Sequence, residues 1–395
     1  MSTESPVTKL GDYELVARVA QGGMATLYLA QKIGEEGKPL AVKVIHPHLQ
    51  DDWEATRWFI DEALIAIRLK HPNVVAVHEL GEEDGTYFLA MEYVHGCTLA
   101  NLLALAQRRG VAIDPRLIAW IGSEICKGLH LAHELKGDAG ELLNVIHRDL
   151  SPQNVLLSHT GEVKLIDFGV AKAEGRARRT SHGEVRGKLR YMSPEQAAAE
   201  PMDRRADLFS LGVVLWEASA QRRLHPDLEM VELLDALRNP QIPSLHSIRQ
   251  GVPGELDEAV QWSTRPLAEQ RPSNAADLGA LLAHAAGPIG KRELVEVMRT
   301  LVGPQLVKSA RSFPKPFVEA LALDQLEPTN PRGEGTGPVL LDRPEAAAPS
   351  QPSQPSERRR RGSAGPKSTS AQGWLFVLAL ALAMGGIAAA AAYLL

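Results

Sequence analysis

Cysteine is almost absent from this chain of 395 residues, which contains only Cys97 and Cys126. Two cysteines are too few for a disulfide framework, and these two lack the spacing of metal ligands, so a reducing compartment is the simpler interpretation. An excess of positive charge is also missing, because the formal net charge of -5 argues against a general nucleic-acid binder. The amino-terminal residues contain no long apolar run, and we therefore expect no cleavable signal peptide.

Three oxygen-bearing side chains stand at fixed spacing in one stretch of the sequence: Asp149, Asn154 and Asp167. Two runs rich in leucine and β-branched residues, 155–157 and 163–166, flank a short turn and predict a strand pair. Folding of that hairpin would bring the three side chains together. Acceptor oxygens without cysteine suit a hard cation such as Mg²⁺, which is bound in this way when it also carries substrate phosphates.

The same stretch resembles the signature of protein kinases. His147-Arg148-Asp149-Leu150 is followed by Asn154 and then by Asp167-Phe168-Gly169, in the order typical of that family. Asp-Phe-Gly alone often occurs by chance, whereas the two motifs in order, spaced by a strand pair, very rarely do. The resemblance runs from about residue 11 to about residue 284. It implies an α+β fold with two lobes, a small β-rich amino-terminal lobe and a larger α-helical carboxy-terminal lobe.

The resemblance also implies the chemistry of the site. ATP and Mg²⁺ would be the cofactors, with Asn154 and Asp167 as the metal ligands and Asp149 accepting or orienting the proton of a substrate hydroxyl. Lys43, in Ala41-Val42-Lys43, falls where the family places its phosphate-binding lysine. Glu62 lies in a predicted helix from about residue 53 to 69 and would pair with that lysine. Without this context, Lys43 would be interpreted as an exposed strand lysine.

A glycine-containing loop precedes Lys43 and resembles the kinase loop that covers ATP phosphates. The pattern G-x-G-x-x-G-x-V is only partly kept, because Ala20 and Ala25 stand where the first and third glycines would be, and Gly22 keeps the central position. The run from Met91 to Val94 resembles the hinge between kinase lobes, where adenine bonds to backbone groups. The implied nucleotide-binding residues are Ala20, Gly22, Gly23, Ala25, Leu27, Ala41, Lys43, Met91, Glu92 and Val94.

A basic segment, 170–186, follows Asp-Phe-Gly and is similar to a kinase activation segment that closes on Ser193-Pro194-Glu195. Thr180 and Ser181 are the candidate phosphorylation sites, since a phosphate there would lie among cations and could pair with an arginine of the catalytic loop. A flexible solvated loop is the alternative. The resemblance assigns structural roles to His147, Arg148, Glu195, Asp207 and Arg271, with Asp207 anchoring the catalytic-loop backbone and Arg271 pairing with Glu195.

One departure from the family pattern lies beside Asp149. Serine/threonine kinases usually have lysine two residues after the catalytic aspartate, and here that residue is Ser151. They also have a threonine in the activation segment that contacts this lysine, and here it is Lys188. We expect Lys188 to reach into the site and supply the missing charge, with Ser151 as its small partner. An exposed lysine beside an unimportant serine is the alternative.

The pattern is most similar to bacterial serine/threonine kinases of the eukaryotic (Hanks) type, which implies transfer of the ATP γ-phosphate to serine or threonine hydroxyls of protein substrates. Autophosphorylation is expected. The alternative is a pseudokinase scaffold that binds nucleotide and partner proteins, suggested by the two alanines of the loop and by Ser151.

The composition changes after the kinase-like region. A helical extension is predicted over 285–326, with Leu294, Val297 and Met298 on one face, and it would pack on the kinase or just beyond it. Residues 327–372 are rich in proline, glycine and serine, and we expect them to remain unfolded as a tether.

An apolar run closes the sequence at 374–395, and as a helix it would be about 33 Å long, enough to cross a bilayer. Arg358 to Arg361 and Lys367 precede it, so the positive-inside rule places the kinase region in the cytoplasm, at the inner membrane. The expected partners are thus protein substrates and the lipid bilayer, without nucleic acid. Small residues four apart in the span could also pair two copies as a homodimer, although chance explains them equally well.

Overall fold

The computed structural model describes residues 8–35, 37–168, 187–226, 228–304 and 306. Its amino-terminal part is an antiparallel sheet, formed by the segments with alternating apolar and polar residues. The strands are β1 Thr8–Leu10, β2 Tyr13–Gln21, β3 Ala25–Lys32, β4 Leu40–Ile45, β5 Val77–Glu83 and β6 Thr86–Glu92. They lie in the order β1-β2-β3-β4-β6-β5.

Helix α2, Trp53–Ala66, follows a short helix α1, Pro47–Gln50, and packs on one face of this sheet. Asp52 caps its amino terminus by accepting a hydrogen bond from the Ala55 backbone at 3.2 Å. Phe59 and Ala63, four residues apart, are buried against the sheet. This packing turns Glu62, between them, toward β4.

The larger carboxy-terminal lobe is mainly helical. Its helices are α3 Leu99–Arg109, α4 Pro115–His133, α5 Pro194–Ala197, α6 Arg205–Ala220, α7 Met230–Arg238, α8 Gly254–Ser263, α9 Ala275–Ala286 and α10 Lys291–Val297. Helix α6 is buried on all sides, as expected from its almost continuous apolar sequence. The predicted small β-rich lobe and larger helical lobe are therefore both present.

A second sheet carries the hairpin predicted to hold the metal ligands. Its strands are β7 Gly96–Thr98, β8 Val155–Ser158 and β9 Val163–Leu165, in sequence order. Backbone hydrogen bonds from Val75 to Leu165 and from Leu165 to Asn73, both 2.9 Å, join β9 to the segment that follows α2. The hairpin is thereby fixed between the two lobes.

The extension after residue 284 packs on the kinase domain in its described part. Leu294, Met298 and Leu301, at most 2% exposed, belong to the same apolar core as α3 and α4. A turn of π-helix, Met298–Val302, places Met298 beside Cys97 of β7, with their sulfur atoms 3.9 Å apart. The extension is thus a continuation of the large lobe.

Within the described ranges, no helix combines the length and apolar content needed to cross a bilayer. The predicted span at 374–395, the linker at 327–372 and the candidate phosphorylation sites Thr180 and Ser181 all lie outside those ranges.

Candidate active site

The structure brings Lys43 of β4 into contact with two carboxylates from distant parts of the chain. Its Nζ donates to Oε1 of Glu62 at 3.0 Å and to Oδ1 of Asp167 at 2.7 Å. The pair predicted between Lys43 and Glu62 is therefore present, and Asp167, 124 residues along the chain, joins it. The small lobe is thus coupled directly to the hairpin that carries Asp167.

These contacts keep the groups charged. Burial by itself lowers the pKa of Lys43, but the charges of Asp167 and Glu62 outweigh burial and hold that pKa above its ordinary value. Burial likewise raises the pKa of Asp167, yet the opposing effect of Lys43, with smaller contributions from Lys188 and His147, holds it well below its usual range. Asp167 is therefore an anion at neutral pH, as a cation ligand must be.

The backbone of Asp167 is held in the left-handed region, with φ of 55°. Such a conformation costs about 1 to 2 kcal/mol outside glycine, so surrounding contacts must impose it. Phe168, 2% exposed, packs its ring 4.7 Å from that of His147, and the His147 ring also bonds the Ile166 carbonyl at 3.1 Å. The packing of Phe168 and the hydrogen bond to the Ile166 carbonyl thus hold the backbone on both sides of Asp167.

Asn154 lies beside both aspartates. Its Nδ2 donates to the backbone oxygen of Asp149 at 2.7 Å and to Oδ2 of the same residue at 3.2 Å. Because both bonds use the nitrogen, the amide oxygen is left as an acceptor for another partner. The backbone oxygen of Asn154 accepts from Ile166 at 3.1 Å, which holds Asn154 next to the strand end that carries Asp167. An amide oxygen and an ionised carboxylate fit Mg²⁺.

A buried aspartate anchors the loop that carries Asp149. The carboxylate of Asp207, 1% exposed, accepts from the backbone of His147 at 2.8 Å, from the backbone of Arg148 at 2.9 Å and from the His133 ring at 2.8 Å. Burial raises the pKa of Asp207, but the bond from His133 and the neighbouring charges outweigh it and lower the pKa. These bonds hold Arg148 in the left-handed region, with φ of 61°. His133 was not assigned this role from the sequence.

Lys188 reaches the site, as predicted, with its Nζ 3.1 Å from Oδ2 of Asp149. Ser151 is 1% exposed, and its hydroxyl has no hydrogen-bond partner among the described residues. The expected partnership between Ser151 and Lys188 is thus not present as a hydrogen bond. Lys188 therefore contacts the aspartate without a hydrogen bond to Ser151.

The glycine-containing loop forms the turn between β2 and β3, closed by a 2.9 Å bond from the Gly22 amide to the Ala25 carbonyl. Strand register places Ala20 opposite Leu27, and Leu27 opposite Lys43. Ala25 is 7% exposed and packs into the core between the sheet and α2. The methyl that replaces the third glycine therefore fills the core, and only the backbone of Ala25 can meet a nucleotide.

His46 holds this loop, and sequence reasoning missed it. The residue comes directly after β4, and its amide donates to the Met24 carbonyl at 2.9 Å. Its Nε2 lies 2.8 Å from the Gly22 carbonyl, to which it donates in the Nε2-protonated form. His46 is 9% exposed, and its ring stacks on that of His48, with centroids 5.4 Å apart. His46 thus ties both ends of the turn to the strand that carries Lys43.

The hinge residues are placed by β6. Ala41 is opposite Met91 in the register of β4 and β6. The Glu92 carboxylate accepts from Lys164 at 2.9 Å and from the Ala76 amide at 2.7 Å, while the Glu92 amide donates to the Ala76 carbonyl at 2.9 Å. Glu92 can therefore offer only its backbone carbonyl to adenine. Val94, two residues later, is half-buried.

The end of the activation segment is fixed by a buried ion pair. The Arg271 guanidinium, fully buried, binds both carboxylate oxygens of Glu195 at 2.7 and 2.8 Å. The next residue, Gln196, donates to the Arg148 carbonyl at 3.0 Å. The predicted pair is present, and Gln196 connects it to the catalytic loop.

The arrangement defines a class of protein. Lys43 and Glu62 of a small sheet-rich lobe lie at one site with three polar residues of the helical lobe, which are Asp149, Asn154 and Asp167. Residues 13–276 match the family described as protein kinase domain. The chain belongs to that family.

Individual relatives are bacterial kinases. The chain is 40% identical over 249 residues to the tyrosine-protein kinase MasK of Myxococcus xanthus, covering 62% of this chain and 38% of the relative. It is 30% identical to the serine/threonine-protein kinase PrkC of Bacillus subtilis, covering 68% of this chain and 40% of the relative. The crystal structure of the Mycobacterium tuberculosis PknI kinase domain is similar with a TM-score of 0.54 and 25% identity, over 72% of this chain and 99% of that domain. The chain thus spans about two fifths of the length of the two curated relatives.

Proposed function

We propose that the protein is an ATP-dependent serine/threonine protein kinase of bacterial signal transduction. The observation that carries the proposal is the contact of the Lys43 ammonium with both Glu62 and Asp167, at 3.0 and 2.7 Å. This contact supports the proposal because it joins the proposed phosphate-binding lysine to the proposed metal ligand, Asp167. Phosphoryl transfer depends mostly on such positioning and on charge neutralisation.

Each residue has one role in the proposed mechanism. Lys43, held by Glu62, binds and orients the nucleotide phosphates. Asn154 and Asp167 would hold Mg²⁺, which would supply charge neutralisation at the phosphates. Asp149 orients the acceptor hydroxyl and takes its proton, at a carboxylate whose direction Asn154 fixes.

Lys188 supplies the positive charge that the family usually places two residues after the catalytic aspartate. Its contact with Asp149 puts the ammonium beside the acceptor hydroxyl, where charge on the transferring phosphoryl group must be stabilised. This role rests on the exchange of residue types at 151 and 188 together with the 3.1 Å contact.

Transfer to tyrosine is the second candidate, because the relative that is 40% identical carries that name. The pseudokinase alternative is not favoured, since lysine, glutamate, catalytic aspartate and both metal ligands are all retained. The test is phosphotransfer from labelled ATP by the full chain and by Asp149→Asn, with phosphoamino-acid analysis of the products. Labelled phosphoserine or phosphothreonine, lost in the variant, supports the proposal. Phosphotyrosine alone favours the second candidate, and binding of Mg-ATP without transfer favours the scaffold.

The carboxy-terminal residues of the sequence support a proposal for the cellular location of the protein. An uncharged run at 374–395, preceded by the arginines at 358–361, supports an anchor in the inner membrane with the kinase domain in the cytoplasm. Pairing of two copies through small residues of the span belongs to the same proposal. Carbonate extraction of membranes tests the anchor: the full chain should remain in the pellet, and a chain ending at residue 372 should be released.

A further inference from the structure

A groove lies beside the catalytic loop, between α3 and the end of α6. It has a volume of about 110 Å³. Leu103 and Gln107 of α3 form one wall, and Glu217 and Arg222 belong to the opposite wall. The mechanism proposed above uses none of these residues.

The groove borders the site of phosphotransfer. Gln153, four residues after Asp149, lines it. Tyr191 lines it as well, and also lines the smaller pocket that contains Asp149 and Lys188. A polypeptide that presents a hydroxyl to Asp149 therefore has this groove as its neighbouring concave surface.

The Glu217 carboxylate in the groove already has an ion-pair partner and hydrogen-bond donors within the protein. The Glu217 side chain is 6% exposed and accepts from the Tyr191 hydroxyl at 2.7 Å, from the Leu224 amide at 3.0 Å and from Arg223 at 3.3 Å. Because its oxygens are engaged, Glu217 offers no attraction to a basic side chain of a substrate.

Two cations of this region lack an acidic partner among the described residues. The Arg222 guanidinium is exposed and stacks over the buried Trp216 ring, 5.6 Å from its centroid, and this contact orients it. Arg190 precedes Tyr191, and its Nη1 is buried without a hydrogen-bond acceptor among the described residues.

We propose that this groove binds an acidic side chain of the protein substrate near its phosphorylated residue, and that Arg222 determines selectivity for acidic sequences. The inference rests on the proposed kinase activity. The planar Arg222 guanidinium matches a carboxylate with two parallel hydrogen bonds. A basic side chain would meet uncompensated positive charge.

The experiment uses three peptides with one acceptor serine and flanking residues that are all Glu, all Gln or all Lys. The detergent-solubilised full chain should prefer Glu over Gln over Lys in kcat/KM. Arg222→Gln should lower the ratio of Glu to Gln by roughly fivefold, the scale of a partly exposed ion pair. Arg222→Glu should invert the order of Glu and Lys. Arg265→Gln, at an exposed arginine outside the groove, is the matched control and should leave the ratios unchanged.

A second measurement separates this inference from the kinase activity itself. Fluorescence anisotropy gives the Kd of the labelled peptides for Asp149→Asn protein, in which catalysis is not required. Tighter binding of the Glu peptide, lost in the Arg222→Gln background, supports the groove even if no phosphotransfer is found. Equal Kd values for the Glu and Lys peptides, or an equal effect of Arg222→Gln on all three peptides, would overturn it.

Discussion

Replacement of Lys188 by alanine is the most direct test of the altered catalytic loop. Two unit charges 3.1 Å apart, the distance between Lys188 Nζ and Asp149 Oδ2, interact by about 5 kcal/mol at an effective dielectric constant of about 20 and by about 1.3 kcal/mol in water. The Lys188 side chain is 40% exposed, so solvent screens the interaction toward the lower value.

Because Lys188 contacts the catalytic aspartate, its screened charge should stabilise the transferring phosphoryl group in the transition state by about 2 to 3 kcal/mol. Lys188→Ala should therefore lower kcat roughly 30- to 160-fold. The assay is steady-state phosphotransfer at saturating Mg-ATP and peptide, with the Kd for nucleotide measured separately. Lys38→Ala, at an exposed lysine remote in sequence, is the control and should keep its rate.

A double variant makes the test sharper. Ser151→Lys combined with Lys188→Thr restores the residue types usual in the family and should recover much of the lost rate. Full activity of Lys188→Ala would refute the reasoning, because the charge would then have no role in transfer. A loss that Ser151→Lys does not recover, with weaker nucleotide binding, would assign Lys188 to structure instead.

Four further predictions follow from single contacts. His46→Leu removes one hydrogen bond to the glycine-containing loop and should raise KM for ATP roughly three- to tenfold. His46→Gln keeps a hydrogen-bond donor and should raise KM less. Steady-state kinetics over a range of ATP concentrations checks this, and an unchanged KM for ATP in the leucine variant contradicts it. Arg271→Ala removes the ion-pair partner of Glu195 and should lower the free energy of unfolding by about 3 to 5 kcal/mol. Urea denaturation measures this change. A decrease below about 1 kcal/mol would count against a buried pair. Asp207 has a lowered pKa, so its charge stabilises the fold above the unfolded pKa of about 4, and this contribution disappears as pH falls through the folded value. The stability difference between wild type and Asp207→Asn should thus be largest at neutral pH and shrink below about pH 4, and a difference independent of pH is inconsistent with this linkage. Leu294→Ala should cost about 2 to 5 kcal/mol if the extension belongs to the core of the large lobe, and no loss of stability in thermal unfolding would show that it does not.

The sequence predicted the elements of this protein well where local periodicity determines them. The predicted strand pair at 155–157 and 163–166 is present as β8, Val155–Ser158, and β9, Val163–Leu165, because runs of β-branched residues and leucine bounded by a turn are a local signal of a hairpin. Helix α2 ends at Ala66, three residues before the predicted end, since the Arg68 and Leu69 amides bond three residues back instead of four.

The site could be predicted only as a set of residues. Resemblance placed Lys43, Glu62, Asp149, Asn154 and Asp167 in one site, and the structure brings them together, while their catalytic roles stay predictions. The phosphorylation sites Thr180 and Ser181 and the membrane span remain predictions, because they lie outside the described residues. The position of the extension was left open between two alternatives, because an amphipathic face shows that a helix packs but not against what.

The sequence alone determined which residue types can bind phosphate and metal and in what order they occur, because short motifs and residue spacing are local properties. Only the tertiary structure decided that His46 holds the loop, that His133 shares the Asp207 carboxylate and that the acid of the groove is neutralised while Arg222 is not. Those contacts join segments far apart in the chain. They follow from how separate segments pack within each lobe, which no local sequence pattern records.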